Sequence, residues 1–167
     1  TMNENPKTQL SLPSDQELLV TRTFNAPRDL VWQMWTASEH LQNWWGPEGW
    51  TLPVCELDFR PGGTWFYCMQ GPDGMQSCGK ATYLEIDAPE RIVYEDAFTD
   101  AEGNLAEGMP VAQITLEFVD AGNMTTVVNT VRYPTKADRD MVLEMGVQAG
   151  IDETWNRLDA YLEQKVS

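Results

Sequence analysis

The spacing of apolar residues changes period three times along this 167-residue chain. "QELLVTRTFN" at 16–25 has the mixed alternation of a strand. "APRDLVWQMWTA" then sets Leu30, Val31, Met34 and Trp35 at helical spacing, with Trp32 on the flank. Pro27 falls at a first-turn position, where its missing N–H costs nothing. Ser38 is suited to cap a second short helix over 39–44, whose apolar stripe is Leu41, Trp44 and Trp45; Gly46-Pro47 ends it. From 50 to 133 the period falls to two. Strands are predicted at 52–59, 64–70, 77–87, 91–98, 111–119 and 124–133. They are parted by "RPGG", "GPDG", a long loop at 99–110 and "DAGN". From 135 the helical period returns: Leu143, Val147, Ile151, Trp155, Leu158 and Leu162 predict one long helix capped by Thr135. Gly146 and Gly150 fall inside it, each costing about 1 kcal/mol relative to Ala, and leave a shallow notch beside the core stripe.

One strand, two short helices, six strands and a long helix describe an α+β fold, a single antiparallel sheet with its helices on one face. A sheet that curls around a long C-terminal helix leaves a space between the two, and a ligand would go there. Residues 1–14, with Pro6, Pro13 and few apolar side chains, read as a flexible N-terminal arm. Residues 15–167 then form one domain, long enough to bury a single core.

Charge narrows the function. A net charge of −15, spread along the chain, opposes binding to nucleic acid or to an anionic membrane surface. No apolar run is long enough to span a membrane, and "TMNENPKTQLSLPSDQ" lacks the form of a secretory signal, so a cytoplasmic protein is expected. The three cysteines, 55, 68 and 78, are odd in number and widely spaced, which predicts buried reduced thiols rather than a disulfide or zinc site. With one histidine there is no His-rich metal site, and no P-loop, dinucleotide or nucleophile-elbow fingerprint appears. No metal and no cofactor is expected.

Several stretches together resemble a known family: "TRTFNAPRDLVWQMWT", "WWGPEGW", "DFRPGGTWFYCMQGPDG", "YLEIDAPERIVYEDAFTDAEGN" and the helix with "MGVQAG". They are similar to the bacterial branch of the activator of heat-shock protein 90 ATPase homologue family, within the START, polyketide cyclase and birch-pollen-allergen superfamily (SRPBCC). The likeness runs from about 17 to 163, with motifs in order. It implies a helix-grip fold, seven antiparallel strands curved around the C-terminal helix with an apolar cavity between. Related folds bind lipids, sterols, polyketides or plant hormones, and a few are cyclases or hydratases. The eukaryotic namesake stimulates a chaperone ATPase through an additional N-terminal domain, for which the 14-residue arm leaves no room. The chain departs from the family pattern where Ile151 and Trp155 exchange bulk, and where Phe66 replaces a common basic residue.

Five of the seven tryptophans fall between 32 and 50. Each buries roughly 200 Å², about 5 kcal/mol gross at about 25 cal/mol per Å², so stability alone accounts for Trp32, Trp35 and Trp155. Trp44, Trp45 and Trp50 straddle a Gly-Pro break and are candidates for the cavity wall; adjacent Trp44 and Trp45 point different ways, and one should face the cavity mouth. Asp96 shares a strand face with Ile92, Tyr94 and Phe98. It is either paired, for instance with Arg132, or able to grip a ligand or serve as general acid or base. Asn129, between Val127 and Val131, invites the same reading. His40, one turn before Trp44, is a weak candidate proton carrier. The expected ligand wall is Trp44, Trp45, Trp50, Trp65, Tyr67, Tyr94, Asp96, Phe118, Asn129, Gly146 and Gly150. These residues point to a small apolar or amphipathic molecule as partner, bound by a monomer or homodimer. A cyclase- or hydratase-like enzyme and a stress-response interaction module using an exposed Trp patch are the alternatives.

Overall fold

The computed structural model describes residues 7–166. Their elements, in chain order, are β1 (Gln9–Ser14), β2 (Glu17–Phe24), α1 (Arg28–Thr36), α2 (Ser38–Leu41), β3 (Thr51–Leu57), β4 (Thr64–Gln70), β5 (Gln76–Asp87), β6 (Arg91–Thr99), β7 (Ala112–Ala121), β8 (Met124–Arg132), α3 (Lys136–Glu144) and α4 (Val147–Val166). All these strands lie in one antiparallel sheet of order β1-β2-β8-β7-β6-β5-β4-β3, with β1 and β3 as edges. The fold is α+β with a large open sheet and a long C-terminal helix, as the pattern implies, but with eight strands rather than seven.

The additional strand is β1, which falls in the stretch that reads as an arm. It pairs with β2 through Leu10 and Val20 but is otherwise exposed except for Leu10. An edge strand with a single inward side chain has no apolar alternation to read. Residues 1–6 of the arm lie outside the described residues.

Two helix boundaries also differ from expectation. Ala37 holds the capping position of α2 and Ser38 is already helical, with no side-chain cap bond. The predicted single C-terminal helix is two. Thr135 does cap α3, its Oγ1 accepting from the Asp138 amide at 3.0 Å, but Gly146 takes φ +88° and ends that helix. Its N–H bonds the Leu143 carbonyl at 3.1 Å. A glycine in the left-handed region just past a helix is a common stop signal, and Gly146 is that rather than a mid-helix notch.

The cysteines are a further correction. Cys68 on β4 and Cys78 on β5 stand directly opposite each other and form a disulfide; Cys55 alone is free. Spacing in sequence misleads here, because the hairpin turning through "GPDG" pairs 70 with 76, 69 with 77 and 68 with 78.

The core lies between the concave face of the sheet and the helices. Trp35 of α1 makes edge-to-face contacts with Phe24, Trp44, Phe118 and Trp155 at centroid distances of 4.8 to 6.5 Å. Such aromatic pairs add about 0.5–1.5 kcal/mol each beyond area burial. The buried Thr125 hydroxyl donates to the Ala26 carbonyl at 2.8 Å and ties the start of α1 to β8. This aromatic block fills one end of the space gripped by α4. The other end is not filled.

Candidate functional site

A cavity of about 290 Å³ opens between the sheet and the α3–α4 corner. Its floor is made by inward residues of β4, β6, β7 and β8; Val142, Val147, Gly150, Ile151, Thr154 and Trp155 form the helical side, and Trp45, Gly46 and Pro47 the rim. Small residues leave the space open. Ala112 on β7 lines it directly opposite Asp96, while the bare Cα of Gly79 on β5 makes room for the Tyr67 ring. On α4, a Cβ placed at Gly150 would meet no atom within 4 Å.

Asp96 is the one charged side chain in the wall among the described residues. It lies deep in the fold yet keeps part of its surface accessible. The Tyr67 hydroxyl donates to it, with Oδ1 and Oδ2 both at 3.2 Å. Burial pushes the carboxyl from its ordinary value up to about 7, and the Tyr67 hydrogen bond pulls the other way. Burial also lifts the phenols of Tyr67 and Tyr94 well above the usual tyrosine range, reinforced by the Asp96 charge. Tyr133 is pushed up to about 12 by burial and then by the same charge. These tyrosines stay neutral donors at any physiological pH. Arg132 does not pair with Asp96: its guanidinium goes to Glu17 at 3.6 Å and to the Gln16 side-chain carbonyl at 3.1 Å.

Of the expected wall residues, the structure brings Trp45, Tyr67, Tyr94, Asp96, Asn129 and Gly150 to the cavity. Asn129 is 9% exposed, and among the described residues no group hydrogen-bonds its amide. The remaining expected residues lie elsewhere. Trp44 is fully buried in the aromatic block, its Nε1 donating to the Met34 carbonyl at 3.2 Å, so its neighbour Trp45 is the one that turns to the rim. Trp65 and Phe118 are core, the former packed under Trp45 at 4.7 Å. Trp50 packs on Gly71, beside the cavity mouth but outside its wall. Gly146 faces a separate groove against β1. His40 bonds the Tyr161 hydroxyl at 2.8 Å on the outer side of α4 and does not reach the cavity.

Sequence reasoning misses other residues. Trp35 and Trp155, expected in the core, also line the cavity, as does Tyr133. Tyr133 continues the Val127, Asn129, Val131 alternation at the end of the predicted 124–133 strand and could have been found by that period. Gly79 carries a usable signal: a glycine inside the strand pattern "QSCGKATYL" marks close approach of another group. Arg157 has none. From α4 its Nη1 donates to the carbonyls of Gly46 at 2.8 Å, Pro47 at 3.2 Å and Trp45 at 3.4 Å, fixing the rim.

With this geometry, comparison with known proteins is decisive for family. The sequence over residues 25–163 matches the activator of Hsp90 ATPase homolog 1-like protein family. The chain belongs to that family. Solved structures agree. A crystal structure of a Mycobacterium smegmatis protein is 30% identical, with a TM-score of 0.86 over 93% of this chain and 96% of that one. A solution structure of a Staphylococcus epidermidis protein is 33% identical, with a TM-score of 0.82 over 95% and 96%. One from Arthrobacter aurescens, 26% identical, reaches 0.86 over 93% and 91%. No curated protein matches the sequence. Within the described residues of this family member no helix is long and apolar enough to cross a membrane.

Proposed function

We propose that this protein binds a small, largely apolar molecule non-covalently in the cavity between sheet and C-terminal helix. The observation that carries the reading is that cavity: about 290 Å³, walled mostly by aliphatic and aromatic side chains, with isolated polar groups at Asp96 and Asn129. Apolar walls supply affinity by removing ligand surface from water, and a few fixed polar groups supply orientation. Gly150 and Ala112 keep the space open where larger side chains would extend into it. Nucleic acid and anionic membranes are poor partners for a chain of net charge −15.

Mass spectrometry of the purified protein, native and then denatured, tests the proposal. A small molecule released on denaturation supports it. A cavity that neither retains a molecule nor takes up apolar probes by calorimetry refutes it.

One observation favours an enzymatic alternative. A carboxyl held near pH 7 beside a tyrosine hydroxyl has the protonation behaviour of a general acid–base group. On that reading Asp96 moves a proton on a bound substrate, as in cyclisation or hydration, and Asp96→Asn abolishes turnover while leaving binding intact. His40, turned away on α2, has no part in it.

A further inference from the structure

The two polar groups of the cavity do not serve one ligand group. Asp96 pairs with Ala112 on β7, whereas Asn129 pairs with Leu116, four residues further along the same strand and on the opposite side of it. That separates them by roughly 13 Å along the strands and roughly 10 Å across. Each end of the cavity therefore has its own chemistry, and the Asp96 end is the distinctive one.

Around Asp96 the cavity wall is aromatic. Tyr67 reaches it from β4, Tyr94 precedes it on the same face of β6, and Tyr133 falls beside Ala112, one position beyond the Gln113–Arg132 pair. Trp45 leans over Tyr67 with ring centroids 5.9 Å apart. Aromatic faces attract cations through their quadrupole. The carboxylate itself is under-used. It offers about four lone-pair sites, and among the described residues one hydroxyl, that of Tyr67, hydrogen-bonds it.

Among the described residues no lysine, arginine or histidine lines the cavity. The nearby guanidiniums are committed: Arg157 to the rim carbonyls, Arg22 to Asp159 and Asn156, Arg132 to Glu17. An anionic ligand would find no counter-charge inside and a strongly negative molecule outside.

We propose that the Asp96 end is an ammonium-recognition site: the cavity takes an organic amine with an apolar body, its cationic head on the Asp96 carboxylate among Tyr67, Tyr94 and Trp45, and excludes carboxylates of the same shape. This rests on the cavity-binding reading above. Asn129, whose amide has no partner among the described residues, receives a second polar group at the far end of a longer ligand.

The head site is also pH-dependent. The titratable groups facing Asp96 are phenols: Tyr67 from β4, Tyr83 from β5 behind the wall, Tyr94 from its own strand and Tyr133 after β8. From α3 and α4 the wall brings Val142, Val147, Gly150, Ile151 and Thr154, none of which titrates. Asp96 alone changes charge between pH 5 and 9, so an ammonium head binds more tightly as pH rises through the carboxyl's own titration.

Calorimetry with three probes of one shape, 4-phenylbutylamine, 4-phenylbutan-1-ol and 4-phenylbutyrate, tests this at pH 8 and pH 5.5. At pH 8 the amine is expected to bind at least about tenfold more tightly than the alcohol, and the carboxylate most weakly. In Asp96→Asn the amine advantage should shrink to about threefold or less while alcohol affinity is kept, which also reports that the variant is folded. In the unaltered protein the advantage should shrink likewise at pH 5.5. Equal binding of amine and carboxylate, or an amine preference that survives Asp96→Asn, overturns the ammonium site but leaves the cavity reading standing. If not even the alcohol binds, both readings fall.

Discussion

The Tyr67 ring lies across the bare Cα of Gly79, the residue directly opposite it on β5: a Cβ built on Gly79 would sit 2.5 Å from the Tyr67 hydroxyl and 2.7 Å from Cζ. This is how a tyrosine on β4 reaches a carboxylate two strands away on β6. The absent side chain is part of the site. Gly79→Ala should therefore displace Tyr67 from Asp96, since the added methyl also has the Ala97 carbonyl at 3.2 Å and cannot move aside. Hydrogen bonds to charged groups contribute about 1.5–3 kcal/mol, and the variant is expected to lose stability on that order in urea unfolding. Tyr67→Phe removes the same hydrogen bond without the clash. Both variants should raise the Asp96 titration midpoint above about 7, because that bond holds it down. Carboxyl-carbon NMR titration reads this directly, and a midpoint unchanged in both variants would show that the contact does not tune Asp96.

Asp96 also sets a pH dependence of stability with an unusual sign. Its folded pKa is raised to about 7 from an ordinary 3.8, so between those values the folded protein holds a proton that the unfolded chain has released. Stability from this group is full below about pH 4, falls as pH rises towards 7, and then levels. At about 1.4 kcal/mol per pH unit the ceiling is about 4 kcal/mol, and access of water through the cavity reduces it. Asp96→Asn should remove the slope: the variant gains on the unaltered protein steadily from pH 4 to pH 7 in chemical denaturation. Other carboxyls contribute equally to both proteins and cancel in the difference. Parallel stability curves across that range would contradict the raised pKa.

The sequence and the structure part company for identifiable reasons. Period-two runs locate strands 64–70 and 91–98 to within a residue, because each buries one face of its sheet and Trp65, Tyr67, Ile92 and Tyr94 fall on it. Strand β1 carries no such pattern, since an edge strand leaves both its backbone edge and most of its side chains to solvent. Asp96 stands out by being polar on an apolar face, and the same rule finds Asn129. What the pattern does not encode is which apolar residues touch filled space and which touch empty space. Trp44 and Trp45 are chemically equal in sequence, yet one is fully buried and the other forms the rim. The cavity is left by small wall residues, Ala112 and Gly150 among them, and small residues leave no hydrophobic signal.

Gly150 is the position where that space can be altered at least cost. It is helical, lines the cavity, and would have nothing within 4 Å of an added Cβ. Gly150→Ala should stabilise the protein by roughly 0.5–1 kcal/mol through helix propensity alone. Gly150→Phe should fold equally well but fill the cavity, reducing uptake of apolar probes about tenfold or more by calorimetry. The same change to alanine at Gly146 should have the opposite effect on stability, since φ +88° there penalises any Cβ by roughly 1–2 kcal/mol. Thermal unfolding of the two alanine variants side by side separates a cavity glycine from a helix-ending one. Stabilisation of both, or of neither, would contradict the assignment.

The rim depends on Arg157. Carbonyls 45–47 converge because the chain turns through Gly46 at φ +108°, and a single guanidinium nitrogen from α4 donates to all three. Burial lowers the Arg157 pKa but leaves the group a cation at all ordinary pH, so its hold on the rim does not titrate. Arg157→Met keeps the aliphatic length and removes the donors. The Gly46 carbonyl then loses its partner, at an expected cost of about 1–3 kcal/mol, and the segment 45–50 should exchange its amide hydrogens faster while β6 and β7 do not change. Trp45, freed at the rim, should also lose its fixed edge contact with Trp65, seen as a red shift and quenching of tryptophan fluorescence. Arg157→Lys places a compact charge where a planar fork was, and should rescue the exchange rate only in part. Unaltered exchange at 45–50 in Arg157→Met would mean that the Gly-Pro turn holds itself, and that the helix contributes only packing to the mouth of the cavity.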